Sequence, residues 1–430
     1  MRVTSNGKRP TICFVAGDVS GDQNAARLAA AIRQLAPDVR LLGAGGAAMR
    51  EAGVEVGVET TDLSFFGFLG SLRVLHRLVG RYRRAQRIIA AAHPDLVVLV
   101  DAEAVNLPAA MWLRRKGVPV VFFFPPQVWL FGRWRLPAIV PLARRVLSAF
   151  RDEAELYSAA GADTVWVGHP LRDLVQVTES AEAALQSIGL DPGRPVIALM
   201  PGSRRNEIRT LASRMLGAAR LLQQRDPTLQ FALPLASESL RSDLERSVQQ
   251  SGVRDVVIYR PKSYAVLSQA RIVLQCSGTA TLEAALLGIP AVIVYRCNRI
   301  EYFVGHHLLR VKVPFIGMPN ILLGETVQPE FIHKNVDAEH LAEEAWSLLT
   351  DQRRRRAIQS RLATLPELLG PPGVAARAAH AVIDLLPQAA VERTRLAVES
   401  TARAASLPQL RPPSATEEVP REPVRAAPGQ

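Results

Sequence analysis

The sequence is poor in cysteine and has no long hydrophobic run. Its three cysteines, Cys13, Cys276 and Cys297, lie in or beside apolar strand-like stretches. Three scattered thiols provide neither a disulfide framework nor metal-ligand spacing. No apolar stretch reaches the roughly 18–20 residues of a membrane span, and the apolar run near the basic N-terminus is too short for a signal peptide. We therefore expect a reducing, cytoplasmic location.

Several motifs with strong signatures are also missing. There is no Walker pattern, which argues against a P-loop kinase or NTPase. The stretch GAGG at 43–46 lacks the spacing of a dinucleotide-binding loop. His306 and His307 are adjacent and have no carboxylate at metal-binding spacing. We therefore expect no metal ion and no nicotinamide cofactor.

Basic residues are in excess. The 430 residues include 52 Lys and Arg against 40 Asp and Glu, which gives a net charge of +12, and 48% of all residues are hydrophobic. This hydrophobic content is enough for two domains with separate cores. The positive charge indicates an anionic partner, which is a nucleic acid, a phosphorylated small molecule or a membrane surface.

Strand and helix signals alternate along most of the chain. Continuous apolar runs such as TICFVAG, PDLVVLVD and PAVIVY, separated by helical stretches, indicate parallel sheets covered on both faces. We predict an α/β protein with two doubly wound, Rossmann-like domains that face a cleft. The predicted bounds are 1–175 for the first domain, 176–195 for a linker, 196–385 for a second domain with returning terminal helices, and 386–430 for a largely disordered tail, proline-rich from about Ser406.

Polar residues of the first half cluster after its strands, where doubly wound sheets bind their ligands. Asp101 ends the run PDLVVLV, and His169 follows the strand DTVWV. The segment AGDVSGD follows the first strand. It is either part of the site or a plain turn in which Ser20 or Asp22 caps the next helix. His169 is a candidate for a polar contact, although a lone histidine is more often structural.

The second half carries groups suited to a nucleoside diphosphate. Two of its strands are followed by the loops Gly202-Ser203-Arg204 and Ser277-Gly278-Thr279. Arg204 can meet a phosphate bidentately while backbone N–H groups hold the other oxygens. The second loop begins a helix, and helix N-termini bind anions. Glu283, one turn further on, can accept two hydrogen bonds from a ribose diol.

An acid opposite a bound sugar nucleotide is the layout of an inverting glycosyltransferase. We predict that Asp101 is the general base, which deprotonates an acceptor hydroxyl so that this hydroxyl displaces the nucleotide from the anomeric carbon. Two neighbours compete for the role. Glu103 lies two residues further on, and His169 has an unperturbed pKa better matched to neutral pH. An aspartate that only caps the following helix is the remaining alternative.

These motifs resemble the lipid-A-disaccharide synthase family over about residues 10–385. LMPGSRRNEI matches the family's P-G-S-R-x-x-E-[IV], SGTATLEAALLGIPAVIVYR matches S-G-T-A-[TA]-L-E and the Y-R that follows, GMPNILLGE matches P-N-[LI]-[LI], and VGHPL matches G-[HN]-P. The first half is looser. GDVSGD stands where the family has G-E-x-S-G-D, DAEAVN where it has D-x-P-D-F-N, and PQVWLF where it has P-S-V-W-A-W.

The resemblance implies a GT-B fold, no metal requirement, a UDP-activated diacylglucosamine as donor and a diacylglucosamine 1-phosphate as acceptor. The UDP-binding residues that it and the loop chemistry indicate are Gly202, Ser203, Arg204, Ser277, Gly278, Thr279, Glu283, Tyr295, Arg296 and Asn320. The acceptor side is assigned to Asp18, Ser20, Gly21, Asp22, Asn106 and Trp129, with Asp101 and His169 as the catalytic candidates.

One stretch combines a group of phenylalanines with a run of basic residues. Residues 64–89 contain six arginines and no acid, and three phenylalanines precede the arginines. The stretch is either a loop and an amphipathic helix with a solvated basic face, or a membrane-surface patch through which acyl chains reach the cleft. The residues of the predicted patch are Phe65, Phe66, Phe68, Leu69, Arg73, Arg77 and Arg81. Nucleic acid is disfavoured, because aromatics and arginines are not interleaved as in stacking platforms.

The predicted function is transfer of the sugar of UDP-2,3-diacylglucosamine to 2,3-diacylglucosamine 1-phosphate, which yields the lipid A disaccharide 1-phosphate and UDP. We expect a peripheral enzyme on the cytoplasmic face of the inner membrane, and a homodimer is compatible with this interpretation. Three alternatives stay open: a related GT-B enzyme with another acceptor, a UDP-sugar epimerase or hydrolase, and a non-catalytic lipid- or nucleotide-binding relative.

Overall fold

The computed structural model describes residues 9–61, 67–130, 132–296 and 314–386, except for the side chains of 67–78 and 334. Cys297, His306, His307, Phe65, Phe66 and the predicted tail beyond residue 386 lie outside the described residues. The described thiols, Cys13 and Cys276, are buried and free. Burial raises the pKa of each thiol to about 12, so both act as small apolar side chains.

Seven of the described strands form the first sheet. They are β1 (Thr11–Ala16), β2 (Arg40–Gly45), β3 (Glu55–Glu59), β4 (Leu96–Val100), β5 (Val120–Phe123), β6 (Arg145–Ser148) and β7 (Thr164–Trp166). All are parallel, in the order β3-β2-β1-β4-β5-β6-β7. Every residue of β1 and of β4 is buried, because helices cover both faces of the sheet.

The helices of this region are α1 (Val19–Leu35), α2 (Ala47–Glu51), α3 (Gly67–Ala92), α4 (Glu103–Arg115), α5 (Leu136–Ile139), α6 (Arg151–Ala159) and α7 (Leu171–Leu174). Helix α1 packs on β1 and β4 through Leu28 and Ile32. Opposite faces of the sheet form two separate apolar clusters, one beneath α1 and one beneath α4.

The second sheet contains six described strands, also parallel. They are β8 (Val196–Met200), β9 (Gln230–Pro234), β10 (Val256–Tyr259), β11 (Ala270–Cys276), β12 (Ala291–Tyr295) and β13 (Glu330–Ile332), in the order β10-β9-β8-β11-β12-β13. The helices from the linker onward are α8 (Ala181–Ser187), α9 (Arg205–Arg225), α10 (Arg241–Ser251), α11 (Ala265–Ser268), α12 (Ala280–Leu286), α13 (Met318–Leu323), α14 (Ala338–Thr350), α15 (Gln352–Leu362), α16 (Leu365–Leu369) and α17 (Val374–Ile383).

The chain crosses between the two sheets twice. The segment predicted as a linker contains α8, whose Ala184 and Leu185 pack with residues of the second sheet. The C-terminal α17 returns to the first domain and packs against α1. At this second crossing, the carboxylate of Asp173 accepts the backbone N–H groups of Gly373 and Val374 at 2.6 and 2.9 Å. The N-terminus of α17 is therefore fixed by a residue of α7.

Each sheet has one point where the strand order reverses direction. In the first sheet this point lies between β1 and β4, and in the second it lies between β8 and β11. Loops diverge there in opposite directions and leave a crevice at the carboxyl ends of the strands, where open α/β sheets bind ligands. The residues after these four strands include the predicted site residues Asp18, Asp101, Arg204 and Ser277.

Candidate active site

Asp101 follows β4 in an unusual backbone conformation. Asp101 and Ala102 both have positive φ angles, 50° and 41°, a conformation that is uncommon for residues other than glycine. The buried Asn106 fixes this turn, because its Nδ2 donates to the carbonyls of Val100 and Asp101 at 2.9 and 2.6 Å. Such strain at a strand end is typical of functional sites. Asn106 therefore holds the loop that presents Asp101.

The carboxyl of Asp101 has its pKa raised to about 6, first by burial and second by the negative charge of Asp18, with a hydrogen bond from the Ala102 backbone acting against both. Burial disfavours the charged form of an acid, and a like charge nearby adds to this effect. A carboxylate with a pKa near 6 is a stronger base than an ordinary aspartate and is still ionised at neutral pH. This is the tuning that general-base catalysis requires.

The two competing residues are arranged differently. Glu103 forms an ion pair with Arg135, so its carboxylate already has a partner within the protein. His169 accepts a hydrogen bond at Nδ1 from the backbone N–H of Leu171 at 3.2 Å. Burial lowers the pKa of His169 to about 4, so the ring is neutral at neutral pH and carries its proton on Nε2. The contacts favour Asp101 as the base.

A further carboxyl near Asp101 was not found from the sequence. Glu153 of α6 is 2% exposed, its Oε2 lies 2.5 Å from the Oγ of Ser148, and its Oε1 has no hydrogen-bond partner. Burial raises its pKa to about 8, and the charge of Asp101 contributes to the shift. Glu153 is therefore protonated at neutral pH. Its sequence context, RDEAEL, is an ordinary polar helix start, so no local signal marks it.

The first loop of the predicted acceptor side has a largely structural arrangement. Asp18 caps α1 by accepting the N–H of Gly21 at 2.7 Å. Gly21 lies against β4, since a Cβ there would approach the Val100 carbonyl oxygen at 3.3 Å. Ser20 is exposed. Of this group, Asp18 acts on Asp101, because its negative charge contributes to the raised pKa of the Asp101 carboxyl.

Asp22 points away from the loop edge, with 4% of its surface exposed. Its two carboxylate oxygens accept backbone N–H groups from Gly46, Ala48 and Met49 at 2.6, 3.0 and 3.3 Å. These are donors at the start of α2, which has no side-chain cap of its own. Asp22 therefore joins α1 to α2, and its carboxylate bonds to the start of α2.

Trp129 and His169 meet through a third aromatic residue. The ring of Phe150 lies 5.2 Å from that of Trp129 and 5.2 Å from that of His169, centroid to centroid. Phe150 belongs to the apolar cluster that also contains the core of the second domain, and Trp129 packs against this cluster. The aromatic group therefore lies where the two domains meet.

In the second domain, the loop after β8 is held in a tight turn. Gly202 has a φ of 123°, and a Cβ at this position would lie 2.4 Å from the Oε2 of Glu207, so only glycine fits. Glu207 accepts the N–H groups of Ser203 and Arg204 at 2.9 and 3.1 Å and pairs with the Arg204 guanidinium at 3.1 Å. The Arg204 side chain is 69% exposed and can turn toward a ligand.

The loop after β11 lies beside this turn, because β8 and β11 are neighbours. Gly278 has a φ of 149°, and Thr279 is exposed at the start of α12. The hydroxyl of Ser277 donates to the Ile316 carbonyl at 2.6 Å, and that of Thr281 donates to the Gly278 carbonyl at 2.7 Å. Of the hydroxyl groups in this turn, Ser277 and Thr281 act within the protein, while Thr279 faces solvent.

Glu283 is linked to a residue that the sequence did not reveal. Its carboxylate forms a hydrogen bond with the hydroxyl of Tyr264, and burial raises the pKa of Glu283. Tyr264 also lies near Arg27 of α1, so this group lies where the two domains meet. Tyr264 lies in the stretch PKSYAVLSQ, which contains no recognised motif.

The remaining donor-side predictions fall into two classes. Tyr295 and Arg296 end β12 and are exposed. The positive charge of Arg296 lowers the pKa of Arg214 and of His333, in each case after burial as the larger cause. Asn320, by contrast, is 0% exposed and bonds to Gln328 and Glu330. Asn320 therefore shapes the domain from inside, whereas Arg296 belongs to a basic cluster.

The predicted membrane patch is only partly within the described residues. Phe65 and Phe66 precede the described part of α3, and the side chains of Phe68, Leu69, Arg73 and Arg77 are outside it. Arg81 lines a cavity between α3 and α4. In the part of the chain that the structure describes, no helix is both long and apolar enough to cross a bilayer. Within the same residues, no cluster of three His, Cys, Asp or Glu side chains could hold a metal ion.

Two solved structures have a fold similar to that of this chain. The co-structure of S. aureus MnaA with UDP aligns with a TM-score of 0.58 at 12% identity, covering 88% of this chain and 98% of that one. The crystal structure of MurG from Acinetobacter baumannii aligns with a TM-score of 0.52 at 13% identity, covering 87% of this chain and 99% of that one. Identities this low show the fold, which is GT-B.

The sequence comparisons reach further. The family model described as lipid-A-disaccharide synthetase matches residues 12–379. The lipid-A-disaccharide synthase of Geobacter sulfurreducens is 37% identical over 375 residues, which cover 87% of this chain and 97% of that protein. The Myxococcus xanthus synthase is 35% identical over 378 residues, which cover 88% and 98%. The chain belongs to the lipid-A-disaccharide synthase family.

Proposed function

We propose that this protein is an inverting glycosyltransferase that forms the lipid A disaccharide. The donor is UDP-2,3-diacylglucosamine and the acceptor is 2,3-diacylglucosamine 1-phosphate. Membership of the synthase family supports the overall reaction. The observation that carries the mechanism is the Asp101 carboxylate, held at the switch point of the first sheet with its pKa raised to about 6.

In this mechanism the acceptor hydroxyl approaches Asp101, and the donor is held by the second domain. The hydroxyl oxygen attacks the anomeric carbon, the bond from that carbon to the β-phosphate oxygen breaks, and UDP leaves with the electron pair. The hydroxyl proton passes to the Asp101 carboxylate and from there to solvent. A single displacement of this kind inverts the configuration of the anomeric carbon.

We propose the donor-side contacts from the side chains that are exposed at the two neighbouring loops. The Arg204 guanidinium and the Thr279 hydroxyl are both accessible there, and charge-assisted contacts to phosphate are strong. Arg296 adds positive charge at the neighbouring strand end. The Glu283–Tyr264 pair is placed one turn into α12, where it can receive the ribose hydroxyls. The S. aureus neighbour solved with UDP supports a UDP-sugar as donor.

We further propose that the reaction needs no metal ion, because Arg204 and Arg296 supply positive charge for the leaving UDP. Activity should then be unchanged by EDTA.

The test of the whole proposal measures UDP release from the UDP-sugar with and without the acylated acceptor. Acceptor-dependent release is expected. Release without acceptor would indicate a hydrolase, and binding without release would indicate a non-catalytic binder.

Peripheral binding to the cytoplasmic face of the inner membrane is part of the same proposal, since both substrates carry acyl chains. We assign it to Phe65, Phe66 and Phe68 together with Arg73, Arg77 and Arg81, because basic residues near an anionic leaflet contribute about 1 kcal/mol each. Sedimentation with anionic vesicles should fall at high salt and fall further after Phe→Ser changes at all three phenylalanines. Binding that salt leaves unchanged contradicts this assignment. Sedimentation equilibrium tests whether the protein is a homodimer.

A further inference from the structure

A cavity of about 310 Å³ lies in the first domain, between α3 and α4. Its walls include Ala85 and Ile89 of α3 and Val105, Ala109 and Trp112 of α4. The volume is about twice the ~150 Å³ of an apolar cavity that accommodates benzene, and it is at the small end of the range of ligand sites. The cavity therefore has room for a short hydrocarbon segment and is too small for an acylated sugar phosphate.

The lining is almost wholly hydrocarbon. Among its few polar side chains, the hydroxyl of Tyr82 forms a hydrogen bond with Gln86, so this pair satisfies itself. Water gains too few hydrogen bonds to fill an apolar space of this kind. These properties suit a flexible apolar ligand.

The position of the cavity connects it with the catalytic loop. One end is lined by Gly17, which precedes Asp18, and by Val105, four residues after Asp101. The two loops touch there, since a Cβ on Gly17 would lie 2.7 Å from the Cβ of Ala102 and 3.4 Å from a methyl carbon of Val105. The other end is lined by Val79 of α3, which is 40% exposed. The cavity thus extends from an accessible helix face to the loops around the candidate base.

We propose that this cavity binds one acyl chain of the acceptor while Asp101 takes the proton from the acceptor hydroxyl. The inference rests on the proposed function and adds a determinant of substrate choice. The acceptor is the natural occupant, because its hydroxyl must reach Asp101, beside one end of the cavity, whereas the UDP part of the donor belongs to the second domain. A membrane phospholipid offers the same acyl chemistry and is the alternative source that the experiments separate.

The first experiment varies the chain length of each substrate in the unaltered protein. For the acceptor, kcat/KM should rise by roughly fourfold per added methylene until the cavity is full, whereas a matched series of donors should show no such dependence at constant acceptor. An acceptor series without any chain-length dependence overturns the proposal, as does a dependence confined to the donor.

The second experiment fills the cavity. Ala85 is 8% exposed and faces the cavity, so Ala85→Leu adds carbon atoms inside it. Ala90→Leu adds the same atoms on the solvent side of α3 and serves as the matched control. We expect Ala85→Leu to raise KM for a long-chain acceptor at least about tenfold while KM for a short-chain acceptor, KM for the donor and kcat stay near their original values. Equal effects of the two variants contradict the proposal.

The third experiment is independent of catalysis. Trp112 lines the cavity, so an ω-brominated dodecanoic acid bound there should quench its fluorescence, and Trp112→Phe should remove that part of the signal. Quenching without acceptor-dependent UDP release leaves the acyl site in place and rejects the proposed reaction. Turnover without quenching rejects the acyl site. Competition by phosphatidylglycerol vesicles combined with no dependence on acceptor chain length identifies a membrane lipid as the occupant and also overturns the proposal.

Discussion

The two domains share one sheet topology, but their switch points carry different groups: acids in the first domain, and an arginine with hydroxyl groups in the second. At the switch point of the first sheet stand two carboxylates, Asp18 and Asp101, with a third acid, Glu153, close by and an apolar cavity beneath. At the switch point of the second sheet stand glycine turns, exposed hydroxyl groups and Arg204, while the acids Glu207 and Glu283 are already hydrogen-bonded. The parallel sheet supplies the crevice, and the loops supply the chemistry.

The contrast separates two tasks of a glycosyltransferase. Burial and a like charge in the first domain raise the pKa of a carboxyl and make it a better base. Exposed guanidinium and hydroxyl groups in the second domain can meet phosphate oxygens. If the tasks are divided in this way, changes in the first domain should affect turnover and changes in the second should affect UDP binding.

The largest effect is expected for Asp101→Asn, which keeps the shape of the side chain and removes its basicity. Turnover should fall by roughly a hundredfold or more, the low end for a lost general base, and UDP affinity measured by calorimetry should not change. Glu103→Gln is the matched control, since Glu103 is paired with Arg135. Near-normal turnover in Asp101→Asn, together with loss in Glu103→Gln or His169→Ala, would show that another residue is the base.

The complementary change in the second domain is Arg204→Ala. Loss of a charge-assisted contact costs about 1.5–3 kcal/mol, so the Kd for UDP should rise by at least roughly tenfold. Arg205→Ala is the control, because the Arg205 guanidinium is held by Asp243 at 3.3 Å. Calorimetry that gives the same Kd for both variants and the unaltered protein would place the phosphate site elsewhere.

The pH dependence distinguishes Asp101 from His169. Since the base must be ionised and the pKa of Asp101 is raised to about 6, kcat/KM should fall roughly tenfold per pH unit below 6. If His169 were the base, with its pKa lowered to about 4, this acidic fall in kcat/KM would begin about two pH units lower. Asp101→Asn should flatten the profile. An acidic limb near 4 in the unaltered protein is incompatible with Asp101 as the base.

The same pKa shift has a consequence for stability. A carboxyl whose pKa is higher in the folded state favours folding fully below its unfolded pKa, and this contribution is lost as pH rises through the folded value near 6. Asp101→Asn has no such loss. Its melting temperature should therefore exceed that of the unaltered protein at pH 8 by more than at pH 4, as differential scanning calorimetry can measure.

The smallest effect on function is expected at Asp22, although it lies only four residues after Asp18. Its carboxylate satisfies three backbone N–H groups at the start of α2, so Asp22→Ala should lower the free energy of unfolding by roughly 2 kcal/mol. Activity per folded molecule should persist. The exposed Asp38→Ala is the control. A loss of turnover without a loss of stability would return Asp22 to the acceptor site.

The sequence indicated where the candidate site lies, at the strand ends, more readily than which side chains form it. Asp101, Gly202 and Arg204 could be proposed from the sequence because each follows a strand end, which continuous apolar runs make visible. Glu153 and Tyr264 were missed, since each becomes part of the site only through contacts with other elements. Asn320 shows the reverse case, in which a motif residue is wholly occupied by Gln328 and Glu330.

By itself the sequence determined two parallel α/β domains, because apolar strands and helices alternate along it, and it placed acids after the strands of one domain and arginine and glycine after those of the other. The tertiary structure decided which polar groups remain for a ligand. A buried polar group must find a partner, and the partners of Asp22, Ser277 and Asn320 come from segments 24, 39 and up to 10 residues away. The raised pKa of Asp101 and the apolar cavity between α3 and α4 likewise arise from burial, which exists only after the chain has folded.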